Sequence, residues 1–305
     1  MDQNLRRQLK TFIKEHHLPE FFNTVISTHY LPLAHWISTQ RRAGETWVIG
    51  LSGAQGTGKS TLSSLLKVIL EQFYSCNTAI ISLDDLYLSK IERRALAKTV
   101  HPLLQTRGVP GTHDPKLGLQ LLRDLSVLGE KETVLLPRFD KASDERLPKE
   151  QWEVFAGPAD IVIFEGWCVG VSASSEESLV NPINELEAQE DKDGRWRRFV
   201  NQQLQADYKK LFARSNAMIM LQAPNFACIH RWRWMQEQQL AVRIDREEGM
   251  KAGANKIMDE AGVRRFIQHY ERLTRQCLEQ LPGQADVVLQ LSEDHGITRS
   301  HYQTS

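Results

Sequence analysis

Several things are scarce in this chain. Its 305 residues hold four cysteines, Cys76, Cys168, Cys228 and Cys277, spaced far apart. No C-x-x-C pair or Cys/His metal spacing accompanies them, which argues against a disulfide framework or a zinc site and for reduced thiols in a cytoplasmic protein. Neither charge is in excess: Lys+Arg and Asp+Glu number 38 each. That removes any global electrostatic case for nucleic acid or an anionic membrane as partner. No apolar run approaches the length that spans a bilayer. The opening Met1-Asp2-Gln3-Asn4-Leu5-Arg6-Arg7 leads into a polar amphipathic stretch without the apolar centre of a secretory signal. Repeats and low-complexity segments are absent. His16, His17, His101, His269 and His301 show no ligand spacing and read as ordinary surface or core histidines. What remains is globular in composition, 41% hydrophobic and 25% charged, enough for a substantial core.

Against that background one stretch stands out. Gly53-Ala54-Gln55-Gly56-Thr57-Gly58-Lys59-Ser60 fits G-x-x-x-x-G-K-[ST], the phosphate-binding loop. An apolar, β-prone run, Thr46-Trp47-Val48-Ile49-Gly50-Leu51, precedes it, and Leu62, Leu65, Leu66, Ile69 and Leu70 follow at helical spacing. Strand, glycine-rich loop and helix is the order a phosphate cradle needs. The glycines let successive N–H groups turn toward one anion, and the helix N-terminus adds its positive dipole end. Gly53, Ala54, Gln55, Gly56, Thr57, Gly58, Lys59, Ser60 and the following Thr61 are the candidate nucleotide contacts. Lys59 is placed to reach the β/γ-phosphates, and the Ser60 hydroxyl to ligand Mg²⁺. The cofactors expected are ATP and Mg²⁺.

Strand-like and helical runs then alternate, which predicts an α/β fold with a largely parallel sheet. Strands are expected at 46–52, 78–83, 160–165, 217–222 and 286–291, with helices at 60–73, 115–128, 195–214, 226–242 and 255–280. Residues 1–45 read as a helical extension packed on a domain spanning 46–305, with its apolar pattern interrupted at Pro32. Thr133-Val134-Leu135-Leu136 falls outside the rhythm and reads as part of a flap. The acidic, polar stretch 172–194 reads as a surface excursion.

In an open α/β sheet, ligands sit beyond the carboxyl ends of the strands. The run Ala79-Ile80-Ile81-Ser82-Leu83 ends in Asp84-Asp85, on the side where the phosphate loop opens. A kinase for a hydroxyl substrate needs a proton acceptor near the γ-phosphate, and Asp84 is the candidate, with Asp85 as alternate. A helix-capping pair is the structural alternative. Ile161-Val162-Ile163-Phe164-Glu165-Gly166 has the shape of a Walker-B strand, making Glu165 a second candidate for organising Mg²⁺. The loop Arg107-Gly108-Val109-Pro110-Gly111-Thr112-His113-Asp114 is dense in polar groups. Arg107 can clamp a carboxylate or phosphate. His113 and Asp114 can meet substrate hydroxyls, although Asp114 can equally cap the helix begun by Pro115. Arg138 and Lys141 stand on the flap, in Pro137-Arg138-Phe139-Asp140-Lys141. Arg231 and Arg233 lie on a helix after the fourth strand, where lid arginines neutralise a transferring phosphoryl group. The neighbouring Trp232 and Trp234 serve packing as readily as they would serve base stacking.

These residues resemble a known group. Asp84-Asp85-Leu86-Tyr87 is similar to the D-[DS]-F-[YH] signature of uridine kinase, phosphoribulokinase and bacterial pantothenate kinase, with Leu86 standing where that signature has phenylalanine. Within that superfamily the chain resembles plant-type D-glycerate 3-kinase and its fungal and bacterial relatives. The likeness covers about residues 46–292. It runs through the phosphate loop, Leu83–Leu88, Arg107–Asp114, Pro137–Lys141, Phe164-Glu165-Gly166-Trp167-Cys168-Val169-Gly170 and Arg231-Trp232-Arg233, in the family's order. The resemblance implies a five-stranded parallel sheet ordered 2-3-1-4-5 and ATP-dependent phosphorylation of the 3-hydroxyl of D-glycerate. It also implies substrate contacts at Asp85 and Tyr87 beside Arg107, His113, Asp114, Arg138 and Lys141, with Asp84, Lys59, Arg231 and Arg233 as the catalytic set. The partner expected is a small hydroxylated molecule, with no nucleic acid and no membrane. Two alternatives stay open at this point. One is a kinase for another small alcohol, such as a nucleoside, a pantothenate-like acid or a sugar. The other is a phosphate-loop ATPase acting through a protein partner.

Overall fold

A computed structural model describes residues 3–16, 18–19, 22–42, 44–248 and 258–303. The strands in chain order are β1 (Trp47–Gly53), β2 (Thr78–Ser82), β3 (Thr133–Leu136), β4 (Phe139–Asp140), β5 (Glu145–Arg146), β6 (Glu153–Ala156), β7 (Ile161–Gly166), β8 (Ala217–Gln222), β9 (Val287–Leu291) and β10 (Ile297–Tyr302). One sheet holds six of them, ordered β10-β9-β8-β1-β7-β2. From β9 to β2 every pairing is parallel, whereas β10 runs antiparallel to β9. The sheet therefore has one strand more than the sequence predicts. β10 is Ile-Thr-Arg-Ser-His-Tyr, mostly exposed at the sheet edge, with no apolar run to announce it.

The parallel strands are apolar because helices cover both faces. Alternation along each strand sends Val48, Val162 and Phe164 to one core and Ile49, Leu51, Ile161 and Ile163 to the other. The first core is closed by Leu121, Leu122 and Leu125 of helix Pro115–Val127 and by Tyr208 and Leu211. The second is closed by Leu62, Leu65, Leu66, Ile69 and Leu70 of helix Lys59–Tyr74, together with Leu9, Phe12, Leu33 and Ile37 from the N-terminal region. Helices Gln3–Glu15 and Leu31–Gln40 both pack on Lys59–Tyr74. The helical backbone runs on through Pro32, with a π-helical turn, Ile26–Tyr30, immediately before it, in which the Leu31 amide donates to the Ile26 carbonyl.

The remaining helices differ from expectation at particular points. The 195–214 run breaks at Ala206 (φ −94°, ψ −117°) into Arg195–Gln205 and Asp207–Phe212. The helix after β8 spans Phe226–Glu248. The helix expected from 255 is Glu260–Gln280, and residues 255–257 lie outside the described residues. The 172–194 stretch is more than a surface excursion, because its acids turn inward to fixed cations. Glu187 accepts from Arg272 at 2.6 Å, and Asp191 from Arg197 at 2.9 Å. Among the described residues, no helix is long and apolar enough to cross a membrane.

Candidate active site

The carboxyl ends of β1, β2 and β7 open onto one cavity of about 910 Å³. Its floor is the loop joining β1 to helix Lys59–Tyr74. Gly56 (φ +81°) and Gly58 (φ +88°) take the left-handed conformation that turns the loop's amides to one side. A Cβ on Gly56 would lie 2.8 Å from Trp232 Cβ, so this glycine is required for space as well as for φ. Gly56→Ala should destabilise the fold by about 1–3 kcal/mol and weaken ATP binding; urea unfolding and nucleotide titration of the variant check both. Thr57 Oγ1 donates to the Ala54 carbonyl at 2.8 Å, and Lys59 Nζ to the same oxygen at 3.1 Å. Burial pushes the Lys59 ammonium below its ordinary pKa, while Glu165 and Asp84 pull the other way. Ser60 and Thr61 follow at the helix start and line the cavity. The glycine cradle, the lysine and the helix N-terminus fit a polyphosphate.

Two carboxylates face this loop from adjacent strands. Ser82 on β2 is register partner to Glu165 on β7. Burial pushes the Glu165 carboxyl up, with Lys59 opposing. Glu165 and the Ser60 hydroxyl are oxygen donors of the kind Mg²⁺ takes. Beyond Ser82 a short 3-10 turn, Leu83–Leu86, carries Asp84 and Asp85. Asp84 receives Tyr87 Oη on one oxygen at 3.0 Å and Lys141 Nζ on the other at 2.7 Å. Burial alone would raise its pKa, but Lys141, with Lys59 farther out, holds the carboxyl down to about 2. Asp85 accepts from Arg138 at 3.0 Å and from the Phe139 amide at 2.9 Å. Arg138 also pairs with Glu153. One acid thus grips the base of the β4–β5 hairpin, and its neighbour grips Lys141 in the turn.

Arg107 lines the same cavity, paired with Asp144 and lying 5.6 Å over the Phe139 ring. Its loop neighbours do not join it. His113 is buried and stacked on Tyr87 at 4.4 Å; its Nδ1 meets Tyr208 Oη at 2.8 Å, and burial lowers its pKa to about 3. It is a neutral packing residue beneath Tyr87. Asp114 accepts from the Leu117 amide at 3.0 Å, capping the helix that starts at Pro115. In this arrangement His113 and Asp114 support the loop, and neither lines the cavity.

Arg231 and Arg233 are also placed differently. Residues two apart on a helix face different ways. Arg233 lines the cavity, 2.6 Å from Glu237 and 5.5 Å over Phe266, whereas Arg231 turns out to an exposed pair with Glu293 at 3.0 Å. Arg231→Ala should change kcat by less than about twofold, as expected for an exposed ion pair. Arg233→Ala should lower kcat by about 10²-fold. Equal losses in the two variants by steady-state kinetics would refute this division. Sequence reasoning also missed Tyr270, Phe266 and Gln236, which enter the cavity from two helices remote in sequence. Trp167, within a noted motif, had no role assigned and lines the cavity too.

No family model matches the sequence. An uncharacterized kinase, mug58, of Schizosaccharomyces pombe is 34% identical over 243 residues, covering 74% of this chain and 79% of its own length. The chloroplastic D-glycerate 3-kinase of Arabidopsis thaliana is 30% identical over 211 residues, covering 67% of this chain; the chain spans 43% of that enzyme's length. The solved D-glycerate 3-kinase of Cryptococcus neoformans superposes with a TM-score of 0.70 at 23% identity, covering 90% of this chain and 99% of its own, a likeness of fold.

Proposed function

This chain belongs to the family of phosphate-loop kinases that includes D-glycerate 3-kinase and the fission-yeast kinase, and we propose that it transfers the γ-phosphoryl of ATP to the 3-hydroxyl of D-glycerate. The observation that carries the reading is the convergence of Lys59, Asp84 and Arg107 on one cavity. A kinase needs a phosphate cradle, a hydroxyl-proton acceptor and an anchor for the acceptor, and these three residues supply them. Lys59 and the loop amides hold the β/γ-phosphates. Ser60 and Glu165 would hold Mg²⁺, which would supply neutralising charge to the phosphates. Asp84 takes the proton as the acceptor oxygen bonds to phosphorus and the bridge to the β-phosphate breaks. Asp84 stands near Lys59 and Glu165, whereas Asp85 is tied to Arg138 and the flap backbone, which favours Asp84 as the base. Arg107 is a planar bidentate donor suited to the glycerate carboxylate. Lys141 and Arg233 stand over the transferring group. The four cysteines, buried and unpaired, fit a cytoplasmic setting.

The test is ADP release from ATP·Mg²⁺ with and without D-glycerate, followed by product identification. Acceptor-dependent ADP with 3-phosphoglycerate is the expected result. No stimulation by D-glycerate would overturn the substrate, and steady ADP release without any acceptor would favour an ATPase.

A further inference from the structure

We infer that Tyr270 is the positioning residue for Arg107, acting from a helix with no part in the recognised motifs; the inference rests on Arg107 being the acceptor anchor. Tyr270 lies on helix Glu260–Gln280, more than 150 residues beyond the loop it touches. Its hydroxyl donates to the Arg107 carbonyl at 3.1 Å. The next carbonyl, that of Gly108, accepts Trp167 Nε1 at 3.0 Å, and the Gly108 amide donates to Thr112 Oγ1 at 3.0 Å. Two aromatic donors therefore hold two successive carbonyls. The rings brace each other, with Trp167 and Tyr270 at 4.9 Å and 77°.

Gly108 shows how close the contact is. Its φ is +145°, and a Cβ there would lie 2.4 Å from Tyr270 Oη. The loop therefore lies flat against the tyrosine, and the backbone from which the Arg107 side chain springs is set by Tyr270. A positioning residue of this kind is invisible to charge or motif.

Tyr270→Phe keeps the ring and removes only the donor. It should raise the acceptor KM about 3- to 10-fold, the size of one neutral hydrogen bond, with ATP KM unchanged and the melting temperature lowered only by the carbonyl left unpaired. Arg107→Gln should raise the acceptor KM at least about tenfold. In the double variant, Tyr270→Phe should add nothing, because the side chain it positions is gone. If Arg107→Gln raises the acceptor KM and Tyr270→Phe does not, the positioning role fails. Additive effects, or an equal rise in ATP KM, overturn it also. If Arg107→Gln itself leaves the acceptor KM unchanged, the anchor reading fails first.

Discussion

Asp84→Asn should cut turnover about 10²- to 10⁴-fold while leaving ATP affinity near that of the parent. The substitution keeps shape and Tyr87's hydrogen-bond partner but removes the proton-accepting charge. Asp84 faces the phosphate loop from the 3-10 turn beyond Ser82 without being part of it, so the loss falls on kcat. Single-turnover kinetics with a parallel nucleotide titration measures the two effects separately, and unchanged turnover would refute the assignment. The charge state follows from the same geometry. A carboxyl held down to about 2 is ionised at every pH above that, so Asp84 gives no acid limb in the working range. As pH falls, Glu165, pushed upward by burial, protonates before Asp84, and an acid limb in kcat/KM should disappear in Glu165→Gln along with most of the activity.

Lys59→Ala should be nearly as damaging, lowering kcat about 10²- to 10³-fold, the range seen when one donor to a developing anion is removed. Its ammonium lies within the loop, 3.1 Å from the Ala54 carbonyl and near both Glu165 and Asp84. Deleting it leaves Lys141 as the remaining cation acting on both carboxylates, so Asp84 loses part of what keeps its pKa low. Melting temperature should fall, because the buried carboxylates left behind lose part of the positive charge that offset their burial. Full activity in Lys59→Ala would take the phosphate loop out of the mechanism.

Much of this was legible in the sequence because parallel strands buried on both faces must be apolar. The runs at Val48, Ile80, Ile161 and Ile219 announce themselves, and so do the acids that end the second and third of them. β10 did not, since an edge strand paired on one side needs no apolar run. Arg231 and Arg233 looked equivalent in sequence, and helix geometry separates them. His113 and Asp114 carried polar chemistry that the fold spends on packing and capping. Tyr270 had no local signal at all; its helix shows only an amphipathic pattern, and its role exists only once Gly108 lies against it.

The two hydrogen bonds on Asp84 bear on wasted ATP. A free carboxylate beside a bound triphosphate can take a proton from water as readily as from an alcohol, and the nucleotide would then be hydrolysed to no purpose. Here one oxygen is oriented by Tyr87 and the other by Lys141, and each keeps a further lone pair for a hydroxyl. A solitary water brings no other contacts to hold it against that base. An acceptor anchored elsewhere in the cavity does, so on this reading the choice between water and substrate falls to the anchor and not to Asp84.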